Sequence, residues 1–455
     1  MARDAGSVAP IARSEAAPRP LLSVPDGIVL LCGMVIGAGI FKLPSIVAGN
    51  TSGPATFLLA WLLGGVVSLC GALVYAELAS RYPETGGEYA FLSRGLGRGV
   101  AFVFAWSRMS VIQTGAIAAV AFVFGDYASE ILPLGAKSSA LYAAAAVVAL
   151  TALNFVGTLQ SKSLQKLLQV VLFAALVFIG IAGLVSAGAP KALAPNAAAG
   201  SFGFAMIFVL FTFGGWNEAA YLAGEVHDAR RNMIRILVWG IALLTALYLL
   251  VNLGYLAALG QGGMRESKVV AADLMRLVAG EKASVVIALV VCVASLTTMN
   301  AAIFTGARTT WALGRDFALF ARFGHWRDAG STPANALLLQ GLITLVLVAA
   351  SSVTPDGFSA MVAYTAPVFW TFFLLTAITL FVFRARRAEP PAFRVPLYPL
   401  IPIAFCAMCA YMLYSAISYV SNPDYGPKFG DMVLGGLVVM LAGVPLYFLA
   451  RGGRK

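Results

Sequence analysis

Apolar stretches long enough to cross a bilayer recur along the whole chain, separated by polar connections. A membrane-spanning helix needs about 20 predominantly apolar residues. Twelve segments fit that pattern: 26–50, 54–79, 99–125, 139–156, 164–187, 200–223, 233–260, 283–314, 334–353, 358–383, 396–420 and 431–450. The pattern therefore predicts an all-α membrane protein with twelve transmembrane helices.

The first of these segments is weakened by glycine at its midpoint. Gly37-Ala38-Gly39 interrupts the apolar run, and Gly33 precedes it by one turn. In hydrocarbon every backbone N–H and C=O needs a partner, so such a midpoint is tolerated only where it packs against protein or lines a cavity. A helix interrupted there presents the carbonyl end of one half and the N–H end of the other. These ends can bind a cation and an anion, and an amino acid zwitterion offers both charges.

The sixth segment carries a similar interruption, the glycine pair Gly214-Gly215. Two interruptions five helices apart are typical of transporters built from inverted repeats, whose binding site lies between the repeats. The alternative is that these glycines only allow close helix packing. The predicted organisation is a disordered cytoplasmic tail (1–25), a first repeat of helices 1–5 (26–187), a second repeat of helices 6–10 (200–383), helices 11 and 12 (396–450) and a cytoplasmic C-terminus (451–455).

Lysine and arginine are distributed unevenly between alternating connections. The connections on the side of the N-terminus hold roughly three times as many as those on the opposite side. Because positive charge favours the cytoplasmic side, both termini are predicted to be cytoplasmic, in a cytoplasmic (inner) membrane. The outer connection around Ser267–Gly280 is the exception to this bias, because it carries four positive charges. Its apolar residues recur at helical spacing and predict a short amphipathic helix.

Composition supports the membrane class and excludes several functions. Of the 455 residues 60% are hydrophobic and 11% charged, whereas soluble domains are about one quarter charged. The net charge of +11 then reflects membrane orientation and does not indicate nucleic-acid binding. The two histidines lie in polar loops and the five cysteines in apolar runs, so neither a metal site nor a nucleophile with its base is expected. The sequence therefore predicts neither an enzyme nor a cofactor.

Four groups of motifs resemble the amino acid–polyamine–organocation (APC) transporter superfamily, in particular bacterial relatives of its L-type amino acid transporter branch. They are GMVIGAGIF (Gly33–Phe41) in helix 1, YAEL (Tyr75–Leu78) with PETGGEY (Pro83–Tyr89) after helix 2, FTFGGWN (Phe211–Asn217) with AGEV (Ala223–Val226) and RRN (Arg230–Asn232) in and after helix 6, and Met299-Asn300 with Gly306–Arg308 in helix 8. The resemblance spans about residues 26 to 335. It implies a LeuT-type 5+5 inverted repeat with two extra C-terminal helices, helices 1 and 6 unwound at mid-membrane, and an α-amino acid substrate.

The resemblance also implies which residues bind that substrate. The carboxylate would accept hydrogen bonds from the N–H groups of Gly37, Ala38 and Gly39, and the ammonium group would face the carbonyls of Val35, Phe211 and Gly214. Phe211 would cover the substrate as an aromatic lid. The full set of expected binding residues is Val35, Gly37, Ala38, Gly39, Ile40, Phe211, Phe213, Gly214, Trp216 and Asn217.

Two positions depart from the family pattern. Ala38 stands where many relatives have serine, so backbone donors alone would hold the carboxylate. Leu172 stands where many sodium-independent relatives have a helix-5 lysine. The ion coupled to transport therefore has three open alternatives. It could be sodium bound near Val35, Ser295 and Thr298, or a proton on a carboxylate, or there could be no coupled ion.

Charged residues within or beside the spans are further candidates. Arg108 in span 3 either reaches the interface, pairs with a loop acid or takes part in an inner gate. Glu218 either binds a proton or a substrate side chain, or only forms hydrogen bonds on the cavity wall. Lys42 either lines the outer vestibule or is solvated.

The sequence predicts a secondary transporter, a symporter or an exchanger, of small to medium neutral amino acids. A transporter of cationic amino acids or polyamines is the alternative, because of Glu218, and an amino acid sensor is the remote one. Its partners would be the amino acid and the lipid bilayer, with no nucleic acid. The chain would be a monomer or a homodimer, with no partner subunit implied.

Overall fold

The computed structural model describes residues 22–82, 87–157, 162–186, 201–220, 226–327, 332–386, 390–418 and 427–452. The described residues form helices and no β-strand, which confirms the predicted all-helical class. The helices are α1 (Val24–Val35), α2 (Leu43–Gly49), α3 (Pro54–Arg81), α4 (Gly87–Gly95), α5 (Arg98–Ser107), α6 (Gln113–Ile131), α7 (Ser138–Val156), α8 (Lys162–Val185), α9 (Phe202–Thr212), α10 (Trp216–Ala220), α11 (Ala229–Glu266), α12 (Val270–Ala279), α13 (Glu281–Asp316), α14 (Ala334–Ser351), α15 (Gly357–Ala385), α16 (Leu400–Ser418) and α17 (Pro427–Gly452).

Some sequence-based predictions fall outside the described residues. Most of the predicted N-terminal tail (1–25) and of the C-terminus (451–455) does so, as do the first four residues of the PETGGEY motif and the residues 223–225 of AGEV. The amphipathic helix predicted within 267–280 is confirmed as α12.

Ten helices of the described chain are long and apolar enough to cross a membrane. They are α3, the continuous stretch α5–α6, α7, α8, α11, α13, α14, α15, α16 and α17. Two shorter apolar helices, α1 and α9, stand where the sequence predicts full spans at 26–50 and 200–223. Each of these two ends where a glycine interruption begins.

The helices pack around α3, α6 and α11, which contact most of the others. α11 contacts α1, α3 and α8, whereas α6 contacts α7, α13 and α15. α8 and α11 approach closely because Gly183 and Gly254 face each other, and a Cβ on Gly183 would collide with the Gly254 carbonyl. Large apolar side chains such as Val148 on α7 and Phe448 on α17 are exposed, as expected for helices that face lipid.

Lys42 differs from both sequence-based expectations. Its side chain is buried, so it neither lines an open vestibule nor is solvated. Its Nζ pairs with Asp126 on α6 and, at 3.1 Å, with Asp356 at the start of α15. Ser139 on α7 donates to Asp126 at 2.6 Å, and Ser359 donates to Asp356. This ion pair ties the segment after the first interruption to three other helices.

Candidate functional site

The first interruption separates α1 from a short 3₁₀ turn. α1 ends at Val35, Ile36 and Gly37 have extended backbones (ψ 107° and −168°), and a 3₁₀ turn covers Ala38–Phe41. The first N–H groups of a helical turn lack intrahelical partners, as do the last carbonyls of the helix before it. Both kinds of group therefore meet at residues 35–39, with donors on one side and acceptors on the other.

The second interruption lies directly against the first. α9 ends at Thr212, residues 213–215 form a turn, and α10 begins at Trp216. Gly215 has φ +111°, a conformation that L side chains rarely adopt, and a Cβ there would collide with the Met34 carbonyl. Glycine is therefore required at position 215, where the two interrupted segments touch.

A cavity of about 920 Å³ opens between the two interruptions. Its wall contains eleven of the residues proposed from the sequence: Val35, Gly37, Ala38, Gly39, Arg108, Leu172, Phe211, Gly214, Asn217, Glu218 and Thr298. Aromatic side chains that the sequence did not single out complete the wall: Phe104, Phe369, Phe372 and Phe373. The cavity is therefore mostly apolar, with backbone polar groups and a few charges at defined points.

Four of the expected residues lie outside the cavity wall. The Phe213 ring packs on Tyr248 and Trp61, at centroid distances of 5.0 and 6.5 Å. The Trp216 ring packs on Tyr75 at 5.3 Å. Ile40 is fully buried, and so is Ser295, whose Oγ has no hydrogen-bond partner among the described residues. The aromatic surface facing the cavity is thus Phe211 with the four phenylalanines above, and not Phe213 or Trp216.

The helix-5 position singled out in the sequence lies in the cavity wall as an apolar residue. Leu172 on α8 is almost fully buried. One turn earlier, Gln169 also lines the cavity and donates a hydrogen bond from Nε2 to the Gly33 carbonyl at 3.2 Å. Sequence reasoning missed Gln169, although a lone amide inside an apolar segment is a usable signal. A neutral amide therefore contacts the end of α1 from this helix.

A cluster of three charged side chains lies at the edge of the cavity. Arg108 donates from Nη1 to Glu88 Oε2 at 2.9 Å, and its Nη2 lies 3.9 Å from Glu218 Oε1. Pairing with an acid was one of the three alternatives for Arg108, and the acid it pairs with is Glu88 on α4, which sequence reasoning did not single out. Burial raises the pKa of Glu88, and the opposing effect of Arg108 does not cancel this rise.

Among the described residues, no group of three or more histidine, cysteine or acidic residues could hold a metal ion.

Comparisons with known proteins agree on one class. Residues 22–441 match the family described as amino acid permease. The chain is 27% identical to the b(0,+)-type amino acid transporter 1 of Mus musculus, over 82% of this chain and 78% of that protein. It is 26% identical to the serine/threonine exchanger SteT of Bacillus subtilis, over 82% of this chain and 85% of that protein. It is also 26% identical to the Asc-type amino acid transporter 1 of Mus musculus, over 95% of this chain and 82% of that protein. These relatives are transporters and not enzymes.

Proposed function

The chain belongs to the amino acid permease family of the APC superfamily, and from that premise we propose that it transports small to medium neutral α-amino acids by alternating access. The observation that carries the proposal is the contact between the two helix interruptions at one cavity. Their backbone donors and acceptors offer complementary sites for the two charges that all α-amino acids share.

In the proposed complex the substrate carboxylate accepts hydrogen bonds from the N–H groups of Gly37, Ala38 and Gly39. Its ammonium group donates to the carbonyls of Val35, Phe211 and Gly214. The Val35 carbonyl already accepts from Tyr248 Oη at 3.4 Å and the Phe211 carbonyl from Gly214 N at 3.0 Å. A carbonyl oxygen has two lone pairs, so each can accept a second hydrogen bond from the ammonium group.

In the proposed architecture α1–α2 and α9–α10 are transmembrane helices 1 and 6, unwound at mid-membrane. Together with the ten long helices they complete twelve spans, arranged as a LeuT-type 5+5 inverted repeat followed by α16 and α17. The distribution of positive charge supports a cytoplasmic location for both termini, in the cytoplasmic membrane.

The side-chain preference follows from the apolar wall. Phe211, Phe369 and Phe372 favour burial of a hydrocarbon or small polar side chain over a charged one. A second cavity of about 60 Å³, also apolar, lies against Phe211 and Phe369. A cationic amino acid is the second candidate, because Glu88 and Glu218 together exceed the single charge of Arg108.

Transport by the purified full-length chain is the direct test. Proteoliposomes loaded with unlabelled L-serine, L-alanine or L-leucine should take up the same labelled amino acid faster than empty vesicles, by counterflow. Labelled L-lysine and putrescine serve as the cationic comparison. Counterflow of L-lysine alone would favour the second candidate, and absence of counterflow with every substrate would contradict the proposal.

Glu218→Gln should alter ion coupling or cation preference, because it removes one carboxylate beside Arg108 at the cavity edge. Counterflow is measured from pH 5.5 to 8.5 with L-alanine and L-lysine as substrates. A pH profile and an L-lysine to L-alanine ratio identical to those of the wild type would show that Glu218 only forms hydrogen bonds on the cavity wall.

A further inference from the structure

The charged cluster at the cavity edge has an uneven balance. Glu88 and Glu218 share the single guanidinium of Arg108, so the three groups carry one net negative charge when both acids are ionised. The Glu88 side chain is only 5% exposed, whereas that of Glu218 is 48% exposed. An uncompensated charge is costly beside the apolar wall, and the buried carboxylate is the one that gains most from becoming neutral.

We propose that Glu88 binds the proton that is coupled to transport, and that its protonation transfers Arg108 to Glu218. This inference rests on the proposed function as an amino acid transporter. Once Glu88 is neutral, it no longer attracts Arg108 as an anion, and the Glu218 carboxylate already lies 3.9 Å from Arg108 Nη2. The proton moves to and from a carboxylate oxygen, and no bond of the substrate changes.

The three residues sit on elements that differ in their connection to the site. Glu88 is on α4, Arg108 begins a π-helical turn (Arg108–Ile112) between α5 and α6, and Glu218 is on α10. α10 starts immediately after Gly215, where the two interruptions touch. The partner of Arg108 therefore determines whether α6 is held to α4 or to α10, and π-helical turns are frequent at functional sites. Proton binding at Glu88 thereby changes the contacts of α10, the helix that begins at the substrate site.

The groups around Glu88 are consistent with a single titrating carboxylate. Tyr75 on α3 donates to Glu88 Oε1 at 3.3 Å, and Asn217 on α10 does so at 3.4 Å. α15 also packs against α4, but its Arg384 is bound by Glu77, with Nε 2.9 Å from Oε1. Among the described residues, Arg108 is the one cation paired with Glu88.

The neighbour of Glu88 on α4 is also engaged elsewhere. Tyr89 donates from its hydroxyl to Asp316 at 3.2 Å. Because burial raises the pKa of Glu88, this carboxyl holds its proton at a higher pH than an exposed one and changes state nearer neutrality. The proton would therefore be bound on the acidic side of the membrane and released on the alkaline side.

Proteoliposomes with an imposed pH gradient test the inference. The vesicles contain the purified full-length chain and are voltage-clamped with potassium and valinomycin, and uptake of labelled L-alanine is followed. One proton per substrate converts a gradient of one pH unit, inside alkaline, into about tenfold accumulation. Glu88→Gln should remove accumulation above equilibrium together with its pH dependence. The matched control is Glu281→Gln, which removes a carboxylate paired with Arg276 away from the cavity and should accumulate as the wild type does.

Each outcome separates the two levels of the proposal. Counterflow in the wild type without any response to the pH gradient, or accumulation driven only by a sodium gradient, would overturn the role of Glu88 and leave the transporter assignment intact. Accumulation by Glu88→Gln equal to the wild type would do the same. Absence of counterflow altogether would overturn the proposed function and this inference with it.

A second variant tests the proposal in case Glu88→Gln does not fold. Glu88→Asp keeps a carboxylate but shortens its reach to Arg108, so it should retain gradient-driven accumulation with a shifted pH midpoint. An unshifted midpoint in Glu88→Asp would contradict the assignment of the proton to this residue.

Discussion

Gly37→Val should abolish amino acid uptake while the chain still folds and inserts into the membrane. A Cβ at Gly37 would lie 3.6 Å from Thr298 Oγ1 and 3.8 Å from its Cγ2, which are ordinary contacts, so the protein around it tolerates a side chain. The valine would instead occupy the part of the cavity proposed for the substrate carboxylate. Loss of two of the three proposed hydrogen bonds to the carboxylate, at about 1.5 kcal/mol each or more, corresponds to at least about a hundredfold loss of affinity for the amino acid.

Uptake of labelled L-alanine, normalised to protein in the vesicles, measures this effect, and the elution profile in detergent reports the fold. The control is Gly49→Val on α2, where a new Cβ has no neighbour within 4 Å and the residue does not line the cavity. Wild-type uptake by Gly37→Val would remove the first interruption from the binding site. Equal loss in both variants would attribute the effect to misfolding.

Lys42→Met should have the largest effect on stability, lowering the free energy of unfolding by about 3 kcal/mol. The substitution leaves Asp126 and Asp356 facing each other without a cation, in a place where their side chains are only 16% and 36% exposed. Partial exposure of Asp356 places the expected cost at the lower end of the range for broken buried pairs. Thermal or denaturant unfolding in detergent measures the loss.

The matched control is Lys137→Met, which removes an exposed lysine from the connection between α6 and α7. Adding Asp126→Asn to Lys42→Met should recover part of the lost stability, because it removes one of the two unpaired charges. Equal unfolding midpoints for Lys42→Met and Lys137→Met would show that the ion pair contributes nothing.

The positions of the helix interruptions were predictable because glycine acts through the local backbone. Gly37 is the extended residue directly before the 3₁₀ turn Ala38–Phe41, and Gly215 adopts a left-handed φ that few other residues accept. Hydrophobic length likewise predicted the long helices, since each must satisfy its own backbone in lipid. These features depend on residues close in sequence, so they can be predicted from one sequence alone.

Side-chain direction and long-range partners were not predictable in the same way. Phe211 and Phe213 are two residues apart, yet a turn between them sends one ring to the cavity and the other to Tyr248. Lys42 pairs with acids 84 and 314 residues away, and no local pattern specifies that choice. Glu88 was predicted to lie in a connecting loop, whereas it is buried and its side chain contacts Tyr75, Arg108 and Asn217 on three other elements.

Competition binding with substrate analogues tests whether the two interruptions bind both ends of a zwitterion. Labelled L-alanine, or whichever neutral amino acid gives the strongest counterflow, is displaced from the detergent-solubilised chain by the unlabelled amino acid, by its amide and by its deaminated acid. The amide and the deaminated acid should each compete at least about a hundredfold more weakly, since each lacks one charged end. Competition by either analogue as strong as that of the amino acid itself would contradict it.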